Sequence, residues 1–247
     1  MTGSNRIYGA RHSATPIAGT ASLSLPVKST SVDLRAIAGV VRYQNGNQCV
    51  GEMMACLHHI ATGGDDYASE LGIWTAARAL ERSRSTDPIP NVGCMPSDAI
   101  AGMINQGIYK RNSRDDDESQ DTTVSNVEEI VEALAHRCSP SDFLPIAVGD
   151  TDTVKRVLSM GHGVGFIMQV DKVYEDLAGA NNTYIAQSDS PLGGHAQVVV
   201  GYTEDDHFII KNSWGDSWGE YGYCYIPVKV FAGLAYELVA MVSGPSL

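Results

Sequence analysis

Between Gly193 and Pro227 the hydrophobic positions come in two short runs. Ala196, Val198, Val199 and Val200 form the first, Phe208, Ile209 and Ile210 the second, and Glu204, Asp205 and Asp206 stand between them. Short apolar runs on either side of a polar turn predict a β-hairpin. Val164 to Val170 and Ala235 to Val242 read as further strands. Upstream the period becomes helical. Met53, Met54, Leu57 and Ile60 share one face of a helix opened by Cys49, and Leu71, Trp74, Ala77 and Leu80 share one face of a second over 68–83. Pro96-Ser97-Asp98 and Gly107 supply start and stop signals for a third. A capping-box pattern from Ser125 to Glu128, ahead of Val127, Ile130, Val131 and Leu134, predicts a fourth, and Thr153 to Met160 a fifth that stops at Gly161. Helices thus crowd the first two-thirds of the chain and strands the last third, which predicts an α+β protein.

With 247 residues, 43% of them hydrophobic, the chain fills one domain, or two lobes sharing a cleft. Acidic side chains number 29 against 17 basic, a formal charge of −12. That balance argues against nucleic acid or an anionic membrane surface as a partner. No apolar segment reaches the roughly 18 residues of a membrane span. Residues 1–33, rich in Ser, Thr, Ala and Gly, form a polar extension ahead of a body at 34–247. The extension lacks the apolar core of a secretory signal, so a cytoplasmic or virion-associated protein is expected. It reads as a flexible tail or as an arm docked on a partner chain. Arg111 to Asp121 is an acidic, solvated loop, and His58 and His59 are expected on the surface or edge of their helix, with no metal site.

The chemistry lies in three residues. The hairpin brings His195, at the start of one strand, beside Asn212, at the end of the other. An imidazole that works as a base needs one nitrogen held by a fixed acceptor, and an Asn carboxamide does this without adding charge. A helix N-terminus stabilises a thiolate, which is the chemical reason for a cysteine at position 49. Paired with a protonated histidine, that thiol is expected to have a depressed pKa.

The segments HAQVVVGY and IIKNSWGDSWGEYGY resemble the histidine and asparagine segments of papain-like cysteine peptidases. The run DLRAIAGVVRYQNGNQCVGEMMACLHHIAT resembles the nucleophile segment of the same family. The resemblance implies a two-lobe fold, with a helical lobe at about 45–162, a β-rich lobe at about 163–247 and an active-site cleft between them. It implies a Cys49-His195-Asn212 triad that hydrolyses peptide bonds through an acyl-enzyme, with a peptide or protein substrate and no cofactor. Gln44, with the Cys49 N–H, is the candidate oxyanion donor, and Gln48 competes for that role. Gly93 would pair with the substrate backbone, Gly194 and Trp214 would line the cleft, and Trp214 would shield the His-Asn bond.

There are departures from the pattern. Gln44 stands five residues before the cysteine where the family has six, Asn47 and Gln48 precede Cys49, and Val50 replaces an aromatic residue. No long helical pro-segment is found, so control of activity would come from elsewhere. Cys56, Cys94, Cys138 and Cys224 are expected as reduced thiols. Two other functions fit the same residues: an amidase or acyl transferase acting on a non-protein or cell-wall amide, and an assembly component of a phage-like particle.

Overall fold

The computed structural model describes residues 8–13, 29–63, 68–84, 93–111, 137–179 and 182–242. The helix expected after Ser125 and the acidic stretch from residue 112 lie outside these. The helices begin and end where local chemistry requires. Helix α1 (Cys49–Thr62) stops at Gly63, whose φ of 59° is left-handed and whose N–H closes on the His59 carbonyl. Helix α2 (Glu70–Ser83) is capped by Ser69, whose side chain accepts from Gly72 N. Helix α3 (Pro96–Asn105) opens on a proline, whose missing N–H costs nothing in a first turn.

The seven strands are β1 (Val32–Asp33), β2 (Phe143–Ile146), β3 (Val164–Val170), β4 (Gly193–Tyr202), β5 (His207–Lys211), β6 (Tyr223–Pro227) and β7 (Glu237–Met241). They form one antiparallel sheet in the order β2-β7-β3-β4-β5-β6, with β1 beside β4. The expected hairpin is β4-β5, with a register shift between Val199 and Gly201 and Asp206 at φ 61° in its turn. Three further short α-helices occur among the described residues: α4 (Thr151–Ser159), α5 (Lys172–Glu175) and α6 (Val228–Leu234).

Strand alternation splits the interior in two. Ala196, Val198 and Val200 of β4 join Met53 and Leu57 of α1 in one apolar cluster. Val199 joins Val154 and Leu158 of α4 and Phe231 of α6 in the other. Both faces of the central strands are therefore covered, and each fully buried aliphatic side chain contributes roughly 1.5–3 kcal/mol. Sandwiched between the sheet and α2, α1 is buried almost all round, so His58, expected at its surface or edge, has no exposure. In α2, Leu80 is only partly buried. Strand β2 and α4 both precede the expected lobe boundary near residue 162, yet β2 pairs with β7 and α4 packs on β3 and β4. Among the described residues no helix is long and apolar enough to cross a membrane.

Candidate active site

Cys49 is the first residue of α1, and that helix packs against β4, which carries His195. The Cys49 side chain has no exposure, and the backbone N–H groups of Ala196, Gly9, Val50 and Ala10 favour its ionised form. Two of those donors come from this packing and from the helix itself. The other two belong to the N-terminal extension.

His195 and Asn212 meet as the hairpin predicts. His195 Nε2 lies 2.7 Å from Asn212 Oδ1, which also accepts the Ser213 N–H at 2.8 Å. An oxygen already held by a backbone donor stays an acceptor, so Nε2 carries the proton and Nδ1 is the basic nitrogen. The Trp214 ring, 2% exposed, stacks on the imidazole at 4.5 Å and 21°. Trp214 thus acts as a lid on the His-Asn bond, with Tyr174, Trp218 and Tyr8 edge-on around it.

Gln44 is tied to the segment after Asn212. Its N–H donates to Ser213 O at 2.8 Å, its Oε1 accepts from Ser213 Oγ at 2.7 Å, and its Nε2 donates to Gly46 O at 2.7 Å. One Nε2 hydrogen is used in that turn. Gln48, the residue before α1, is buried as well, and its Oε1 has no hydrogen-bond partner among the described residues. No group of three His, Cys, Asp or Glu side chains suited to a metal occurs among the described residues.

The cleft is not empty. Residues 8–13 of the extension lie along it. Ala10 N donates to Gly194 O at 3.0 Å, Arg11 N to Cys94 O at 3.3 Å, and Arg11 Nε to Gly93 O at 3.0 Å. Gly9 lies so close to Gly93 that a Cβ on Gly93 would fall 1.4 Å from the Gly9 carbonyl oxygen. At one end Tyr8 bonds Glu175 and meets the edge of Trp214, and at the other Ser13 bonds Glu237. Gly93 and Gly194, the expected backbone contacts of a substrate, are here occupied by the chain's own arm. Residues 8–13 of the extension dock on their own molecule.

With the arm in place, burial pushes the Cys49 thiol up, and the four backbone N–H groups offset this only in part. The depressed thiol pKa expected from the sequence therefore does not describe this closed state. All five cysteines are free and buried, and burial also raises Cys138 and Cys224, each to about 12. Sequence reading missed the arm, because a glycine-alanine pair between Tyr8 and Arg11 has no hydrophobic period to signal docking. It also missed Glu52, although an acid on an otherwise apolar helix face is a visible anomaly.

A cysteine at the head of a helix packed on the strand that carries a histidine, itself held by an asparagine, is the arrangement that the resemblance to papain-like peptidases implies. The family model described as papain family cysteine protease matches residues 93–241, more than half of the chain, and the chain belongs to that family. His195 and Asn212 fall inside the matched stretch, Cys49 and Gln44 ahead of it. An uncharacterised peptidase C1-like protein of Acanthamoeba polyphaga mimivirus is 36% identical over 83 residues, 32% of this chain and 27% of that protein. Cathepsin B-like CP2 of Giardia intestinalis is 37% identical over 87 residues, 30% of this chain and 28% of that protein. The matched segments thus span little more than a quarter of these relatives. Two solved structures share the fold over most of the chain. Xylellain, a cysteine protease from Xylella fastidiosa, superposes with a TM-score of 0.68 at 20% identity over 96% of both chains. Digestive procathepsin L 3 of Tenebrio molitor gives 0.68 at 18% identity, over 96% of this chain and 75% of that one.

Proposed function

We propose that the chain is a cysteine peptidase that works through Cys49, His195 and Asn212. The observation that carries this reading is the 2.7 Å bond from His195 Nε2 to Asn212 Oδ1 under Trp214. It fixes the tautomer in which Nδ1 carries no proton and can act as base. In the reaction Nδ1 takes the Cys49 thiol proton, and the sulfur bonds to the amide carbon as the carbonyl electron pair moves onto oxygen. The Cys49 N–H and Gln44 Nε2 stabilise that oxyanion. The C–N bond then breaks and His195 passes the proton to the leaving amine. Water, deprotonated by His195, hydrolyses the thioester, and the proton returns to sulfur.

The reading also requires the arm to move. Cys49 and His195 are both 0% exposed beneath residues 8–13, so no substrate carbonyl reaches the sulfur until the arm leaves. Residues 8–13 dock on the chain itself, and that contact needs no partner assembly to account for it. Peptide, muropeptide and amine-acceptor substrates tested side by side separate a peptidase from an amidase or acyl transferase.

The decisive experiment is hydrolysis by the full chain and three variants. Cys49→Ala is expected to abolish turnover with the fold intact. His195→Ala is expected to fall nearly as far, and Asn212→Ala less, because it loosens the base without removing it. Full activity in Cys49→Ala would refute the mechanism.

A further inference from the structure

Asn212 uses only half of its side chain in the His195 bond. Its Oδ1 meets His195 Nε2 and the Ser213 N–H, whereas its buried Nδ2 has no hydrogen-bond partner among the described residues. A second carboxamide is in the same condition. Gln197 Nε2 is buried without a partner among the described residues, while Gln197 Oε1 accepts from Tyr174 Oη. Strand register makes the two side chains neighbours. Val199 faces Ile210 and Val198 faces Lys211, so the next step of the same register sets Gln197 opposite Asn212. Side chains directly opposite share one face of a sheet, with Cβ atoms about 4.5–5.5 Å apart. His195, two residues before Gln197 on β4, belongs to that face as well. Asn212 thus faces two side chains of β4, His195 at its oxygen and Gln197 beside it.

A buried amide N–H without an acceptor is costly. The two ends of a carboxamide are nearly equal in size, and which end is nitrogen follows from the bonds each makes. Half a turn of the Gln197 amide gives its Nε2 to the Tyr174 oxygen and its Oε1 to Asn212 Nδ2, and both groups are paired at once. The Tyr174 hydroxyl keeps a partner, because Cys224 Sγ lies 3.3 Å away. Tyr174 is itself fixed, since its buried ring meets Trp214 edge-on and its N–H is held by Asp171. The neighbours of Gln197 on β4, Ala196 and Val198 to Val200, are all apolar and buried. A carboxamide inside that run has a purpose that packing does not supply.

We propose that Gln197 is a positioning residue, its Oε1 accepting from Asn212 Nδ2 and so keeping Asn212 Oδ1 on His195; this rests on the peptidase reading above. An asparagine free to turn over would present Nδ2 to His195 Nε2. That nitrogen would then accept, the proton would sit on Nδ1, and the base would be lost. Ser213 N opposes the turn at one end of the amide and Gln197 at the other.

The test reads the His195 tautomer, which does not depend on turnover. The full chain is labelled with nitrogen-15 histidine, and the His195 signals are identified by their loss in His195→Ala. The ratio of the Nε2–H to the Nδ1–H form is then measured by NMR at a pH where the ring is neutral. Gln197→Met keeps the length and removes both polar ends, and it is expected to lower that ratio about threefold to tenfold, the effect of one neutral hydrogen bond. In an Asn212→Ala background, where the preference is already lost, the same substitution is expected to change it less than about twofold. An unchanged ratio in Gln197→Met, or an equal fall with and without Asn212, overturns the proposal. Gln197→Val, which matches its neighbours on β4, gives the same comparison should the Met variant fail to fold. Turnover is followed in parallel, and kcat is expected to fall by the same factor with KM unchanged, since the buried Gln197 reaches no substrate. A shifted ratio in a chain that hydrolyses nothing upholds the role of Gln197 and sinks only the peptidase reading.

Discussion

Glu52 carries a charge into the interior three residues after Cys49. It is 6% exposed and lines a crevice with Arg42, Lys211 and Asn212. Burial, with the Glu70 charge beside it, pushes its carboxyl up to about 8, against the pull of Arg42, Lys211 and Arg111. Below about pH 4.5 the group is protonated in the folded and the unfolded chain alike, so it has no effect on stability there. As pH rises from about 4.5 to about 8 the unfolded chain ionises while the folded one holds its proton, and stability falls by an amount on the order of a few kcal/mol. Glu52→Gln removes that loss. Its melting temperature is expected to match the parent near pH 4 and to exceed it at pH 9, by thermal melts at the two values. Equal destabilisation at both would show that ionisation of Glu52 does not set the difference, and would refute this account. The His195-Asn212 contact was legible because both residues sit on one predicted hairpin, whereas Glu52 and His58 were not. An amphipathic reading assumes one wet helix face, and α1 has almost none.

Among the elements, α5 is a single turn fixed by the residue that caps it. The buried Asp171 accepts from Tyr174 N at 2.8 Å, Tyr184 Oη at 2.9 Å and Ser188 N at 2.5 Å, joining α5 to the loop that leads into β4. Burial alone would raise this carboxyl, but the hydrogen bonds from Ser188, Tyr174 and Tyr184 outweigh it and hold the pKa below the usual range. The sign is the reverse of that at Glu52. The stabilisation is complete above about pH 4, where the unfolded carboxylate is also ionised, and is lost as pH falls through the depressed folded value. Asp171→Asn is expected to lower stability at pH 7 by about 1–3 kcal/mol, as for a charged hydrogen-bond acceptor. The gap should narrow towards pH 2 in denaturant titrations, and a constant gap would mean that charge is not what matters. Most elements were legible from period and caps, with α4 starting two residues early because Asp150 accepts from Thr153 N. Strand β2 was not, because Pro145 interrupts a short run; it survives as the outer strand of the sheet, where a missing N–H leaves no ladder bond unmade.

For the whole molecule, the state of the cleft depends on residues 8–13. The α+β layout could be inferred from the order of elements, whereas the packing of the Cys49 helix on the distant strand β4 was implied only by the family resemblance. The arm could not be, since backbone hydrogen bonds to Gly194 and Cys94 place no demand on side-chain type. In the parent chain iodoacetamide is expected to modify Cys49 slowly, because the sulfur is covered and its thiol is raised. Gly9→Leu should speed that reaction by at least about tenfold, the effect of weakening the seat by roughly 1.4 kcal/mol. Residue-resolved mass spectrometry gives the rate, and an unchanged value would mean that the arm does not gate the thiol. Arm and cleft are also one covalent chain, so occupancy follows an effective local concentration that does not change with the amount of protein. Dilution therefore does not open the cleft, a free peptide competes only at comparable concentration, and a single cut between Ser13 and Ser29 turns a permanent occupant into one that diffuses away.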